Sequence, residues 1–316
     1  MADGSTAFLF PGQGAQSAGM GRALASAHPG AAELFRSADA VLGYRLSRIC
    51  FEGPESELQL TANAQPAILT VSIAAARALA ERGVTPSIVL GHSLGEYSAL
   101  VAAGALSFED AVLAVHRRGL YMQEAVPVGE GAMAALLGIE AVPAEEICAA
   151  AEGEGLGVVS VANDNAPGQI VIAGRTAAVE RAIVLAKDRG ARRAMRLPVS
   201  APFHCELMAP ARDRLAADLE KLAFRDLAIP LVTNVDAAPI RAGAEARASL
   251  VRQVTGRVRW AESVRRLRAM GADRAIECGP GQVLAGLVKR IDPGIRIVSC
   301  GDPETLDAAA TLAAGR

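Results

Sequence analysis

The chain has 316 residues, half of them apolar (51%) and few aromatic (3%), so Ala, Val and Leu must build a sizeable core and disorder is excluded. Its 32 basic residues against 34 acidic ones leave a charge of −2, without the basic footprint of a nucleic-acid or membrane-surface protein. Five widely spaced cysteines (Cys50, Cys148, Cys205, Cys278, Cys300) form no Cys-x-x-Cys, which argues against a disulfide framework or a zinc site and fits a reducing compartment. Met1-Ala2-Asp3-Gly4 lacks a basic n-region, residues 8–10 are too short for a signal core, and no apolar run approaches a membrane span. A cytoplasmic protein is expected.

The length exceeds one typical domain without clearly making two. Residues 6–10 read as a buried strand stopped by Pro11-Gly12-Gln13-Gly14, followed by a helical stretch over 21–40. Residues 65–82 read as a helix, with Pro66 placed in its first turn. A strand at 88–90, a turn at 91–95 and a small-residue helix at 96–103 make the strand–turn–helix layout of a nucleophile elbow. Residues 108–124 form one more helix, carrying Arg117-Arg118.

The middle of the chain changes character. A strand (132–137), a helix (143–151), two strands (158–162 and 170–173), a helix (176–189) and a strand (192–197) follow in order. The two middle strands are split by a turn at Asn163-Asp164-Asn165-Ala166-Pro167-Gly168. This β-α-β-β-α-β order is the ferredoxin-like plan, predicted as a small domain inserted between Val128 and Leu197. The α/β pattern then resumes: a helix (208–222), a strand (229–233), a helical stretch (249–270) broken near Gly256, a strand (274–278), a helix (283–290) and a strand (295–299). The Ala-rich tail at 306–316 reads as a fraying helix.

Ser93, within Gly91-His92-Ser93-Leu94-Gly95, is the candidate nucleophile. A serine hydroxyl needs exposure, orientation and a base. The turn supplies the first two, and the N–H groups of the helix that starts there can receive an oxyanion. Of four histidines, His28 sits in a polar turn and His116 within a helix, while His92 adjoins the serine and points elsewhere. His204, in the loop Ser200-Ala201-Pro202-Phe203-His204-Cys205, is the favoured base. A third member is not evident: Asp110, Asp164 and Asp188 lie between Ser93 and His204, none in a convincing loop, and a carbonyl could orient the imidazole instead. Gly12-Gln13-Gly14 lacks the third glycine of a dinucleotide loop and is at least as apt to donate N–H groups to an oxyanion. Either arginine of the 117–118 pair could be solvated surface; one facing the pocket would offer a fork for a carboxylate.

Taken together, these motifs resemble the malonyl-CoA:acyl carrier protein transacylases of fatty-acid synthesis and, more broadly, the acyltransferase domains of polyketide synthases. The resemblance runs through Phe8-Leu9-Phe10-Pro11-Gly12-Gln13-Gly14-Ala15-Gln16, Gly91-His92-Ser93-Leu94-Gly95-Glu96-Tyr97, Arg118-Gly119 and Met122-Gln123-Glu124-Ala125. It continues in Asn165-Ala166-Pro167-Gly168-Gln169, Phe203-His204, Thr233-Asn234-Val235-Asp236, Leu250-Val251-Arg252-Gln253 and Glu277-Cys278-Gly279-Pro280-Gly281. It implies an α/β fold: an α/β-hydrolase-like large domain with a central, mostly parallel sheet (1–128 and 198–316) and a ferredoxin-like small domain (129–197). It implies Ser93 as nucleophile, His204 as base, the N–H groups of Gln13 and Leu94 as oxyanion hole, Arg118 as malonyl clamp, and Gln253 orienting His204 through a carbonyl in a Ser-His dyad. Gln253 would also touch the substrate, and His92, Met122, Phe203 and Asn163 would complete the substrate site, Phe203 crowding an α-methyl branch. Malonyl-CoA and acyl carrier protein are the implied partners of a monomer that needs no metal or redox cofactor; the phosphopantetheine arrives on the carrier. A serine esterase or thioesterase, the transacylase subunit of a malonate decarboxylase and a non-catalytic assembly module are the competing readings.

Overall fold

The computed structural model describes residues 5–199 and 201–315. The first four residues, Ser200 of the histidine loop and Arg316 of the tail, on which parts of the sequence reading fall, lie outside the described residues. The described strands are β1 (Ser5–Phe10), β2 (Ile88–Gly91), β3 (Gly131–Leu137), β4 (Val159–Ala166), β5 (Gln169–Arg175), β6 (Arg193–Arg196), β7 (Leu231–Val232), β8 (Pro239–Ile240), β9 (Ala272–Cys278) and β10 (Arg296–Cys300). Six form one sheet in the order β10-β9-β1-β2-β7-β8, parallel except at the β7–β8 hairpin. The expectation of an α/β chain with a central, mostly parallel sheet is met.

Successive residues of a strand point to opposite faces. On β1, Phe8 and Phe10 enter one apolar core, while Ala7 and Leu9 enter another on the far side. Burial on both faces is what a central parallel strand requires. It places the C-terminal ends of β1, β2 and β7 side by side, where ligands gather in open α/β sheets.

The other four strands pair antiparallel in the order β4-β5-β3-β6, joined through helices Ala141–Gly153 and Thr176–Asp188. Ala132, Ala134 and Leu136 of β3 pack on these helices. Met133, between them, packs on the opposite face with Val171, Ala173 and Cys205, toward the histidine loop. The two sheets are stitched by backbone: Asp164 N–H donates to Val258 O (2.9 Å), and Val258 N–H to Ala162 O (2.8 Å).

Several elements differ from the sequence reading. The stretch 21–40 is two helices, Arg22–Ala27 and Pro29–Leu42, because His28 is extended (φ −127) and Pro29 starts the next turn. Helices Leu46–Glu52 and Glu55–Leu58 follow it unforeseen. The polar run 163–168 is not one turn. Two register shifts carry β4 on through Ala166, leaving Pro167-Gly168 as the turn, with Gly168 at φ 66. The stretch 249–270 breaks near Gly256 as expected, into helices Gly243–Gln253 and Trp260–Ala269 with Val258 between them, but its first helix starts six residues early. The tail forms helix Pro303–Ala313 with a capping box at Asp302.

Pro66 also departs from expectation. The helix runs Thr61–Glu81, so the proline lies inside it. A proline has no N–H, which orphans the carbonyl four residues back. That carbonyl, on Ala62, is met by His116 Nδ1 at 2.9 Å. Gln123 Oε1 accepts from Ala62 N–H at 2.8 Å, so helix Phe108–Glu124 holds both polar groups of one residue. Gly119 permits this approach: a Cβ there would lie 2.6 Å from Thr61 O and 2.7 Å from Ala62 Cα. Gly119→Ala should therefore overpack the contact and cost about 1–3 kcal/mol, read as a lower urea midpoint at unchanged m.

Candidate active site

Ser93 sits at φ 52, a left-handed conformation that a residue with a side chain adopts only under constraint. Close approach imposes it. A Cβ on Gly91 would strike the backbone of Gly95, and one on Gly95 would strike Phe10 O. Both flanking positions must therefore be glycine for the chain to turn between β2 and helix Gly95–Ala102. Asn234, just past β7, clamps the turn: its Oδ1 accepts from Ser93 N–H (2.7 Å) and its Nδ2 donates to Gly91 O (2.6 Å). The N–H groups of Leu94 and Gln13 have no protein acceptor among the described residues. The Gln13 side chain is tied to Thr61 Oγ1 at 3.2 Å.

Ser93 Oγ lies 2.8 Å from His204 Nε2, and His204 Nδ1 lies 2.9 Å from the backbone carbonyl of Gln253. Nδ1 donates to that carbonyl, which leaves Nε2 free to accept the serine proton. His204 is itself at φ 60. Burial, reinforced by the positive charge of Arg118, pushes its imidazole down to about 3. It is therefore neutral, as a base must be, throughout the neutral range.

Arg118 is buried to 2% exposure. Its Nη2 donates to Ser93 Oγ (3.1 Å) and Gln253 Oε1 (3.0 Å), and its Nη1 to Gln65 Oε1 (2.8 Å). Its Nε has no partner. No carboxylate touches it among the described residues. Arg117 turns the other way, to a partly exposed ion pair with Asp218 at 3.3 Å.

A cavity of about 210 Å³ opens onto these groups. Gln13, His92, Leu94, Met122, Asn163 and Phe203 line it with Ser93, His204 and Arg118. Met133, Val171, Leu197 and Val199 give it an apolar wall on the side of the antiparallel sheet. His92 is held 2.8 Å from Asn165 Oδ1 and tilts against Trp260. Gln253, read from the sequence as a substrate contact, is not on the wall. It is fully buried behind Arg118 and His204 because helix Gly243–Gln253 ends there, facing inward. His28 pairs with Glu81 and His116 with Ala62, both away from the cavity.

Sequence reasoning assigned no part to Asn234, Gln65, Asn165 or Met133. Two of them left a signal. Asn234 follows a short apolar strand at the end of a parallel sheet, and Gln65 is an amide beside Pro66 at the head of a mostly apolar run that buries it (1%). The positions of Asn165 and Met133 depend on how the second sheet docks, which no local pattern carries.

A strained elbow serine beside a neutral imidazole, unpaired N–H donors and a buried cation are the parts that a serine-nucleophile enzyme acting on acyl groups would need. Residues 7–293 match the acyl transferase domain family, and the chain belongs to it. It is 49% identical to the malonyl CoA-acyl carrier protein transacylase of Bacillus subtilis over 96% of this chain and 95% of that protein. The acyl-carrier-protein S-malonyltransferase of Burkholderia pseudomallei superposes with a TM-score of 0.94, at 46% identity, over 97% of this chain and 99% of that one. A malonyl-transacylase in complex with its type II PKS acyl-carrier protein gives a TM-score of 0.94 at 43% identity, over 98% and 99%.

The state of His204 is open to measurement. The rate at which Ser93 reacts with phenylmethylsulfonyl fluoride, an uncharged reagent, should show no inflection at the ordinary histidine value of 6.5 and should fall only further into acid. An inflection at or above 6.5 would mean a solvated imidazole.

Proposed function

We propose that this chain moves a malonyl group from malonyl-CoA to the phosphopantetheine thiol of acyl carrier protein, through an ester on Ser93, in fatty-acid synthesis. The observation that carries this reading is Arg118, a buried cation 3.1 Å from the nucleophile and touched by no carboxylate among the described residues. Such a group favours an acyl chain that ends in an anion, and a guanidinium fork suits a carboxylate. Relatives named as malonyl transacylases, one of them complexed with its carrier protein, support it.

His204 Nε2 takes the Ser93 proton as Oγ attacks the thioester carbonyl. The oxyanion is received by the N–H groups of Gln13 and Leu94. The imidazolium returns its proton to the departing sulfur of CoA. The carrier's thiol then attacks malonyl-Ser93, and the same steps run in reverse order. His204 is steadied by the Gln253 carbonyl rather than an acid, so Ser93 and His204 work as a dyad. Thioester becomes ester and ester becomes thioester without change of oxidation state, so the scheme calls on no metal or redox centre. Met122, Phe203, Asn163 and His92 shape the acyl compartment, and the Phe203 ring disfavours an α-methyl branch by about 1–3 kcal/mol.

The large unit, 1–128 with 198–316, is α/β-hydrolase-like, and 129–197 form a ferredoxin-like insertion, supported by the strand order β4-β5-β3-β6. The enzyme works as a monomer, a reading compatible with one chain supplying every residue named in these steps. A cytoplasmic setting suits its substrates. No helix among the described residues is long and apolar enough to cross a membrane.

Mass spectrometry of the intact protein after exposure to malonyl-CoA should show one malonyl adduct, mapped to Ser93 and absent from Ser93→Ala. Release of free malonate without an adduct, and without label on the carrier, would instead mark a hydrolase. Arg118→Ala should lower kcat/KM for malonyl-CoA by about 10²-fold or more while sparing acetyl-CoA. An equal loss on both substrates would give Arg118 a purely structural role.

A further inference from the structure

One buried acid has no part in the steps above. Glu96 lies in the first turn of helix Gly95–Ala102 at 1% exposure. Its Oε2 accepts from Asn234 N–H (3.0 Å) and Gln253 Nε2 (2.9 Å), and its Oε1 from Ser249 Oγ (3.1 Å). The Gln253 carboxamide turns its other end to Arg118. One amide thus lies between a buried cation and a buried carboxylate, its oxygen toward the first and its NH₂ toward the second. Both charges are buried, so solvent screens this line only weakly. The same Gln253 donates from Nε2 to Ser93 O (3.0 Å), and its backbone carbonyl holds His204.

We propose that Glu96 is a positioning residue and the counter-charge of Arg118, coupled to it through Gln253, so that a carboxylate arriving on Arg118 drives a proton onto Glu96. The inference rests on the reading of Arg118 as a carboxylate clamp. With Glu96 ionised, the Arg118–Glu96 pair is neutral, and an acyl carboxylate adds an uncompensated negative charge to a buried site. Protonation of Glu96 removes it. Burial already pushes this carboxyl up to about 7, opposed by its hydrogen bonds from Gln253, Asn234 and Ser249 and by the field of Arg118. An arriving carboxylate cancels that field and raises Glu96 further. The ionisable groups facing it are Arg118 from helix Phe108–Glu124 and Tyr97 from its own helix, whose phenol burial keeps protonated. Ser249, Gln253 and Asn234 carry no charge, and Arg252 turns out to Asp236.

The proton balance is explicit. In acylation the Ser93 proton leaves with the CoA thiol, so the chemistry itself takes up none. The proton on Glu96 comes from solvent and returns to it when the malonyl group leaves. The affinity of a charged acyl donor is therefore linked to pH, and that of an uncharged one is not.

The test compares KM for malonyl-CoA and acetyl-CoA between about pH 6.5 and 8.5 in the wild type and in Glu96→Gln. The glutamine oxygen can keep the bonds from Asn234 and Gln253 while its NH₂ donates to Ser249 Oγ, so shape stays and charge goes. In the wild type, KM for malonyl-CoA should rise on the order of tenfold across this range while KM for acetyl-CoA stays level. In Glu96→Gln the malonyl slope should vanish, with KM below the wild-type value at the alkaline end. An unchanged slope in the variant, or an equal rise in KM at every pH, overturns the proposal. A second measurement needs no variant: a pH-indicator dye should record proton uptake when the wild type is malonylated near pH 7, and none if Glu96 is uncoupled. If malonyl and acetyl transfer respond alike to Arg118→Ala, the clamp itself is wrong. A malonyl-selective clamp without a Glu96-dependent slope sinks only this inference.

Discussion

Arg118 is a charge placed where water is scarce, and most of the polar architecture is arranged around it. Taking a guanidinium out of water costs several kcal/mol unless its N–H groups are met. Gln65 and Gln253 meet two of its directions with amide oxygens, and the Ser93 hydroxyl meets a third. Neutral acceptors satisfy the hydrogen bonds and leave the charge in place. A directly bound aspartate would have satisfied both and removed the attraction for an incoming anion.

The backbone of the elbow is fixed by the same economy of groups. Asn234 occupies the Ser93 N–H, while the N–H groups of Leu94 and Gln13 keep no protein acceptor among the described residues. Gln253 carries two duties on one residue, because its main chain and side chain leave the end of helix Gly243–Gln253 in different directions. Left-handed backbone at Ser93 and His204, the two ends of the 2.8 Å contact, shows where the fold stores strain in order to aim these side chains.

Much of this was legible in the sequence. Glycines on either side of Ser93, the apolar strand before it and the loop around His204 are local patterns, and the structure brings the two residues they single out into contact. The parallel core was legible for the same reason: runs such as Phe8-Leu9-Phe10 announce burial on both faces. What escaped depends on contacts distant in sequence. The bulges that keep Asn163 to Ala166 in a strand are set by pairing with β5 and by Val258. The Gln253 side chain was invisible as a bridge because its partners, Glu96 and Arg118, lie more than a hundred residues away. Pro66 was placed in a first turn because proline usually stands there, and the compensating histidine is fifty residues on.

That last pairing makes one helix answerable to its neighbour. The carbonyl of Ala62 lacks the N–H that any residue but proline would bring from position 66, and the His116 imidazole takes that place. A carbonyl oxygen has two lone pairs, so a residue with an N–H at 66 could share it with the imidazole, and the dependence runs one way. A side chain at 116 that cannot donate would leave Ala62 O without this partner, three residues before Gln65, which holds Arg118. The gap that a proline opens in one helix is closed from the next.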